Sequence, residues 1–225
     1  MNDNLPPITR FDQVTALACL LFWLVSYVLI IKRGFQDKTF GMPMLVLCAN
    51  VGWEALLEFV FPVPYPSFHV GYMVWWSADL IILYTCLRWG RDDFEHPFIR
   101  KWFYAIIPVS IALSALVEWA FMKTYQDVYG TILGWILNLV IGGSLIAMLL
   151  RRRSVRGQSV YIGLGILLGN VAGYIQCLTY PMPPPHAPLL LVHVLAPPTL
   201  LLNVIYVIMV WQQCRLDGLS PLKRF

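Results

Sequence analysis

A chain of 225 residues that is 59% hydrophobic and only 12% charged has too little polar surface to coat a soluble domain. Its apolar runs approach the roughly 20 residues that cross a bilayer, and little chain is left over for a second domain. The net charge of +4 comes from basic clusters that flank those runs, which makes the lipid bilayer the expected partner and gives no case for nucleic acid.

The first predicted span covers about 14–31. Its apolar run is long and no small-residue cleavage pattern precedes the next charged loop, so it reads as a permanent helix rather than a removed signal. Lys32, Arg33 and Lys38 follow it. The second span, 42–61, contains CANVGWEALLEFVFP, in which Glu54 and Glu58 stand one helical turn apart. Each would cost about 2.5–3.5 kcal/mol near the centre of a bilayer. Asn50, Glu54 and Glu58 recur at spacing four and form one slowly drifting stripe. A short proline-rich loop, FPVPYPSFH, leads to the third span at 70–87, where Tyr72, Trp76 and Asp79 share a face. Arg88, Arg91, Arg100 and Lys101 come next.

The fourth span, 102–122, carries Glu118 near its far end. The fifth, 129–150, has Trp135 and Asn138 on one face and is followed by Arg151, Arg152, Arg153 and Arg156. In the sixth, 159–180, Gly165, Gly169 and Gly173 make a small-residue stripe suited to close helix packing. A second proline-rich loop, YPMPPPHAP, precedes the seventh span at 189–211. There Pro197–Pro198 predicts a kink, and Thr199, Asn203 and Tyr206 share a face. Arg215, Lys223 and Arg224 close the chain.

Of the 16 basic residues all but Arg10 and Lys123 fall on one side of this alternation. The expected fold is therefore a single all-α domain over 1–225. It is a seven-transmembrane helix bundle with the N-terminus out and the C-terminus cytoplasmic, in the plasma membrane of a bacterium or the endoplasmic reticulum of a fungus. The five cysteines avoid the outer loops and form no CxxC pair, and the four histidines are scattered, so neither a disulfide framework nor a metal site is expected.

Depth along the helices gathers the polar groups in the middle and outer half. Asp79, Asn138 and Asn203 come near mid-span, Glu54 lies somewhat beyond the midplane, and Glu58 stands about 6 Å further out. No basic residue lies within the spans to pair with Glu54 and Asp79, so neutral hydrogen-bonded acids are the cheaper solution. A protonated acid in an aromatic-walled cavity can give its proton to a substrate while ring faces stabilise cationic carbon. Other roles compete. Tryptophans also form interfacial belts, asparagines also tie helices together, and Glu58 or Glu118 can reach the outer headgroups.

Several function classes are compatible with seven helices. A retinal protein needs a lysine in its last helix, and LLLVHVLAPPTLLLNVIYVIMVW has none. A signalling receptor finds little surface in such short cytoplasmic loops. A proton-coupled small-solute transporter, with Asp79 and Glu54 as a relay, stays open. Against it, the cytoplasmic halves of the spans hold almost no ionisable residue.

NVGWEALLEF resembles the Asn-x-x-Trp-Glu signature in the second helix of the small integral-membrane terpene cyclases of meroterpenoid and indole-diterpene biosynthesis. MVWWSADLIIL resembles that family's third helix, where an aromatic segment precedes an aspartate. The resemblance implies an isomerase- or lyase-type enzyme of secondary metabolism acting on an isoprenoid or meroterpenoid substrate, with no cofactor and no obligate protein partner. It also implies that a glutamate at the position of Glu54, with an aspartate in the last helix, protonates an epoxide or terminal alkene. The matching last-helix position here is Asn203, and an amide supplies no proton. Glu54 is then the expected general acid, acting with Asp79, Glu58 or Glu118, unless the activity differs from the family's. Asp79 and Asn203 would orient acid or substrate, and Asn50 would hydrogen-bond Glu54. Trp53, Trp76, Trp135 and Tyr206 are the candidate ring faces, and Glu58 and Glu118 the candidate terminating bases. No aspartate-rich diphosphate motif is present, so metal-assisted ionisation is not the expected start.

Overall fold

The computed structural model describes residues 8–61, 66–180 and 189–225, so 62–65 of the first proline-rich loop and 181–188 of the second, His186 included, lie outside the described residues. Seven α-helices follow one another: α1 Arg10–Asp37, α2 Met44–Phe59, α3 Pro66–Trp89, α4 Pro97–Tyr125, α5 Thr131–Arg152, α6 Val160–Thr179 and α7 Leu189–Leu216. Six are long and apolar enough to cross a membrane. The exception is α2, whose 16 residues make about 24 Å of helix. It is shorter than the predicted 42–61 because Pro43 stands before its first turn and the helix ends at Phe59, ahead of Pro62.

Local chemistry sets several helix ends. Thr9 and Asp12 form a reciprocal capping box at the start of α1. Asp127 accepts hydrogen bonds from the backbone N–H groups of Thr131 and Leu133, both at 2.9 Å, and so caps α5. Lys38, Gln126 and Arg153 end α1, α4 and α5 in the left-handed conformation.

Six helices close a ring in the order α1, α6, α7, α5, α2, α3, and α4 packs on the outside against α2. This explains how α2 can be short: its outer flank is covered by α4 rather than by lipid. Two glycines of the predicted α6 stripe, Gly165 and Gly169, seat closely on α1, whereas the third, Gly173, makes an ordinary contact with Cys19 and lines a cavity. A Cβ on Gly165 would stand 2.9 Å from the Phe22 carbonyl oxygen, and one on Gly169 would stand 2.6 Å from the Trp23 ring.

The two halves of the ring differ in packing. The largest apolar cluster, which includes Ile30, Leu47, Ile82, Leu145, Ile162 and Val210, fills the half next to the basic face. Among the described residues, two small clusters occupy the opposite half. The basic face itself is tied by largely, though not fully, buried ion pairs. Arg152 donates to Asp93 and, at 2.9 Å, to the Phe40 carbonyl oxygen. Arg224 donates to Asp37 at 2.5 Å and to the Val155 carbonyl oxygen at 2.7 Å, binding the C-terminal segment to the bundle.

Arg152→Ala strands the Asp93 carboxylate, whose other cation, the half-exposed Arg156, is 3.6 Å away. Removing one partner of a buried pair costs about 3–5 kcal/mol, so thermal unfolding in detergent should shift to clearly lower temperature. Arg152→Lys should recover part of the loss, and an unchanged melting temperature would show that the pair contributes nothing.

Candidate functional site

The loosely packed half of the ring encloses a cavity of about 640 Å³, with walls from α1, α2, α3, α5 and α6. That volume suits a medium-sized organic ligand. Trp23, Trp53, Tyr72, Trp75 and Trp135 line it. These rings brace one another edge to face. Trp53 and Trp75 each pack on Tyr72, with centroids 5.9 and 5.8 Å apart, and Trp23 packs on Tyr27 at 5.8 Å. The end of the cavity away from the basic face also carries polar groups, with Asp12, Gln13 and Gln176 among its lining residues.

At the deep end four side chains from three helices meet. Asn50 and Glu54 arrive together because residues four apart share a face of α2, Asp79 comes from α3 and Tyr27 from α1. The Tyr27 hydroxyl donates to Glu54 Oε1 at 3.3 Å. Asn50 Nδ2 stands 2.8 Å from the Tyr27 oxygen, 3.2 Å from Glu54 Oε1 and 2.6 Å from Asp79 Oδ2. Its two hydrogens thus serve three acceptors, one of them in a shared bond. Glu54 Oε2 and Asp79 Oδ1 receive nothing from these donors, and the two carboxyl groups are joined through Asn50 Nδ2 by their other oxygens. Glu54 is 1% exposed and Asp79 0%, and among the described residues neither forms an ion pair. Both carboxyl groups are thus buried and tied to one amide, with no cation among the described residues to balance them.

The other residues singled out from sequence are spread around this cluster. Asn50, Trp53, Glu54 and Trp135 line the cavity. Asp79 stands behind Asn50 and Glu54. Asn203 is one layer back on α7, accepting from Asn170 Nδ2 at 3.3 Å, and it is Asn170 that reaches the wall. Glu118 is buried on the outer helix α4, over α2: a Cβ on Gly52 would come within 2.8 Å of its Oε2. Glu58 pairs with His69 at 3.0 Å, off the cavity wall. Trp76 packs on Phe59 with ring centroids 5.2 Å apart and so turns away from the cavity. Tyr206 is buried against Gly163 and is likewise not part of the wall. Among the described residues no group of three His, Cys, Asp or Glu is placed to hold a metal ion.

Tyr27 is the member of the cluster that sequence reasoning missed. Its signal was present: a tyrosine in an otherwise aliphatic run, LVSYVLI, four residues after Trp23 and so on the same helix face. Nothing local, however, says that this face meets α2.

The family model of Pyr4-like transmembrane terpene cyclases matches residues 3–215 of the chain. Over 173 residues it is 32% identical to the Pyr4-family terpene cyclase mfmH of Annulohypoxylon moriforme, covering 75% of this chain and 71% of that protein. It is 31% identical over 166 residues to the terpene cyclase pyr4 of Aspergillus fumigatus, covering 71% and 67%. To the terpene cyclase macJ of Penicillium terrestre it is 30% identical over 168 residues, covering 72% and 64%. No solved structure gives a significant match.

Proposed function

The chain belongs to the Pyr4-like transmembrane terpene cyclases, and from that premise we propose that it cyclises a prenylated, epoxidised small molecule by protonating it at Glu54. The observation that carries this reading is the position of Glu54. It is an uncompensated carboxyl group on the wall of an aromatic cavity, joined to Tyr27, Asn50 and Asp79.

Glu54, carrying the proton, gives it to the epoxide oxygen. The carbon–oxygen bond breaks towards the more substituted carbon, and the electron pairs of successive alkenes close the rings. Trp23, Trp53, Trp75 and Trp135 present ring faces to the migrating positive charge. The last cation loses a proton, so the product is an isomer of the substrate and the acid is restored. Glu58 and Glu118 lie off the cavity wall, which favours return of that proton to the Glu54–Asp79 pair. Asp79 thereby supplies the second carboxyl group for which the resemblance implies the last helix, where this chain has Asn203. Initiation by a carboxylic acid calls on no metal or cofactor. The basic face is taken as cytoplasmic, which puts the N-terminus and the polar mouth of the cavity on the opposite side.

The test supplies membranes containing the protein with a prenylated phenol or indole, with and without a terminal epoxide. Cyclised product of unchanged mass is expected from the epoxide. In deuterated water an epoxide start leaves the product carbons unlabelled, whereas an alkene start adds deuterium to carbon. If neither substrate cyclises and liposomes containing the protein move protons in an Asp79-dependent way, the transporter reading replaces this one.

Tyr27→Phe removes one donor to Glu54 and one acceptor for Asn50. A neutral hydrogen bond contributes about 1 kcal/mol, so kcat should fall about fivefold with KM unchanged. Steady-state kinetics on the same substrate check it, and wild-type kcat would remove Tyr27 from the machinery.

A further inference from the structure

Of the four glycines that line the cavity, Gly130 and Gly134 are closed off by the Trp53 ring, whereas Gly71 and Gly173 are not. On α6, Gly165 and Gly169 are required by close contact with α1, and Gly163 is closed off by Val207 and Tyr206. Gly71 on α3 and Gly173 on α6 line the cavity instead. Among the described residues, a Cβ on Gly173 would touch Cys19 Sγ, at 3.4 Å, and one on Gly71 the Leu20 methyl groups, at 3.5 and 3.8 Å. Both are ordinary contacts. Packing does not demand glycine at either position, so what the missing side chains leave is open space.

The two positions flank α1 at one level, since Cys19 and Leu20 are neighbours and α3 and α6 pack on opposite sides of α1 in the ring. They form a collar. Eight residues separate Cys19 from Tyr27 on α1 and Gly71 from Asp79 on α3, so on both helices the collar stands about 12 Å from the acid cluster. Seven residues separate Cys19 from Asp12, which places the polar mouth about 10 Å beyond the collar on the other side. The unpartnered Oε2 of Glu54 marks the deep end as the place where a ligand reacts.

The geometry points to a length gauge: the Gly71–Gly173 collar passes a linear terpenoid chain to Glu54 and holds the bulky, polar end of the same molecule on the mouth side, near Asp12, Gln13 and Gln176. The substrate is then an amphiphile with a ring-bearing polar head. The length of chain between head and reacting terminus, rather than the total size, decides its fit. This rests on the reading of Glu54 as the proton donor.

The test compares the wild type with Gly173→Ala, Gly173→Leu and Gly71→Leu, in membranes, on one phenol carrying a geranyl, farnesyl or geranylgeranyl chain that ends in an epoxide. Narrowing the collar pushes the head outward, so the preference should move to longer chains. The ratio of kcat/KM for the geranylgeranyl over the farnesyl compound should rise about tenfold in each leucine variant, and by less in Gly173→Ala, whose added methyl is accommodated. An unchanged ratio in all three variants, whether or not absolute rates fall, overturns the gauge. Glu54→Gln is run beside them and is expected to lose turnover on every chain. If it keeps turnover the acid assignment fails, while the chain-length ratios of the glycine variants still decide the collar.

Discussion

Glu54→Gln should reach the membrane folded like the wild type and yield cyclised product about 10²- to 10⁴-fold more slowly, the range that a positioned general acid contributes. The substitution is nearly isosteric. Its amide oxygen can accept from Tyr27 and Asn50 as Glu54 Oε1 does. The hydrogen-bond cluster is therefore preserved and only the transferable proton is lost. The measurement is product formation by mass spectrometry, paired with thermal unfolding of the purified variant in detergent. A matched melting temperature with lost product isolates the chemistry. Wild-type turnover by Glu54→Gln would remove the central assignment.

Asp79→Asn is expected to have the next largest effect, a fall of about tenfold to a hundredfold in kcat with little change in KM. The direction follows from position. Asp79 is fully buried behind Glu54 and does not line the cavity, so the substrate does not touch it and binding should be spared. What the amide removes is the second carboxyl group, which shares and returns the proton. The amide oxygen can still accept from Asn50, so stability should hold. Asp79→Leu is different: it leaves Asn50 without its shortest hydrogen bond, at 2.6 Å, in a buried setting, and should destabilise by about 1–3 kcal/mol. Steady-state kinetics separate the two outcomes. A rise in KM without loss of kcat for Asp79→Asn would make Asp79 a binding group instead.

The relatives mfmH and pyr4 are about a third identical to this chain over the aligned residues, and the second carboxyl group is where the chain departs from what its resemblance implies. Asn203 is hydrogen-bonded to Asn170 and set back from the wall. On the proposed reading, the acid partner has moved from the last helix to the third without leaving the reach of Glu54.

Much about this protein was decided within single helices and could be read from the residue order. Helix positions, the gathering of basic residues at one face and the shared face of Asn50 and Glu54 are consequences of apolar length and of a period of 3.6 residues, both local properties. That Gly165 and Gly169 would seat a neighbouring helix closely was legible for the same reason, but not that the neighbour is α1. Which face looks into a hollow was not, because that depends on neighbours far away in the chain. Trp75 and Trp76 differ by one position, about 100° around the helix, and only the placement of α3 between α1 and α2 puts the first on the cavity wall and the second against Phe59. Glu118 is removed from the cavity because α4 packs outside the ring, and Tyr27 joins the acid cluster because α1 and α2 face each other across α3. The tertiary structure thus determined the site, since a cavity exists only where several helices fail to fill the space between them, and no single helix encodes the order in which they close the ring.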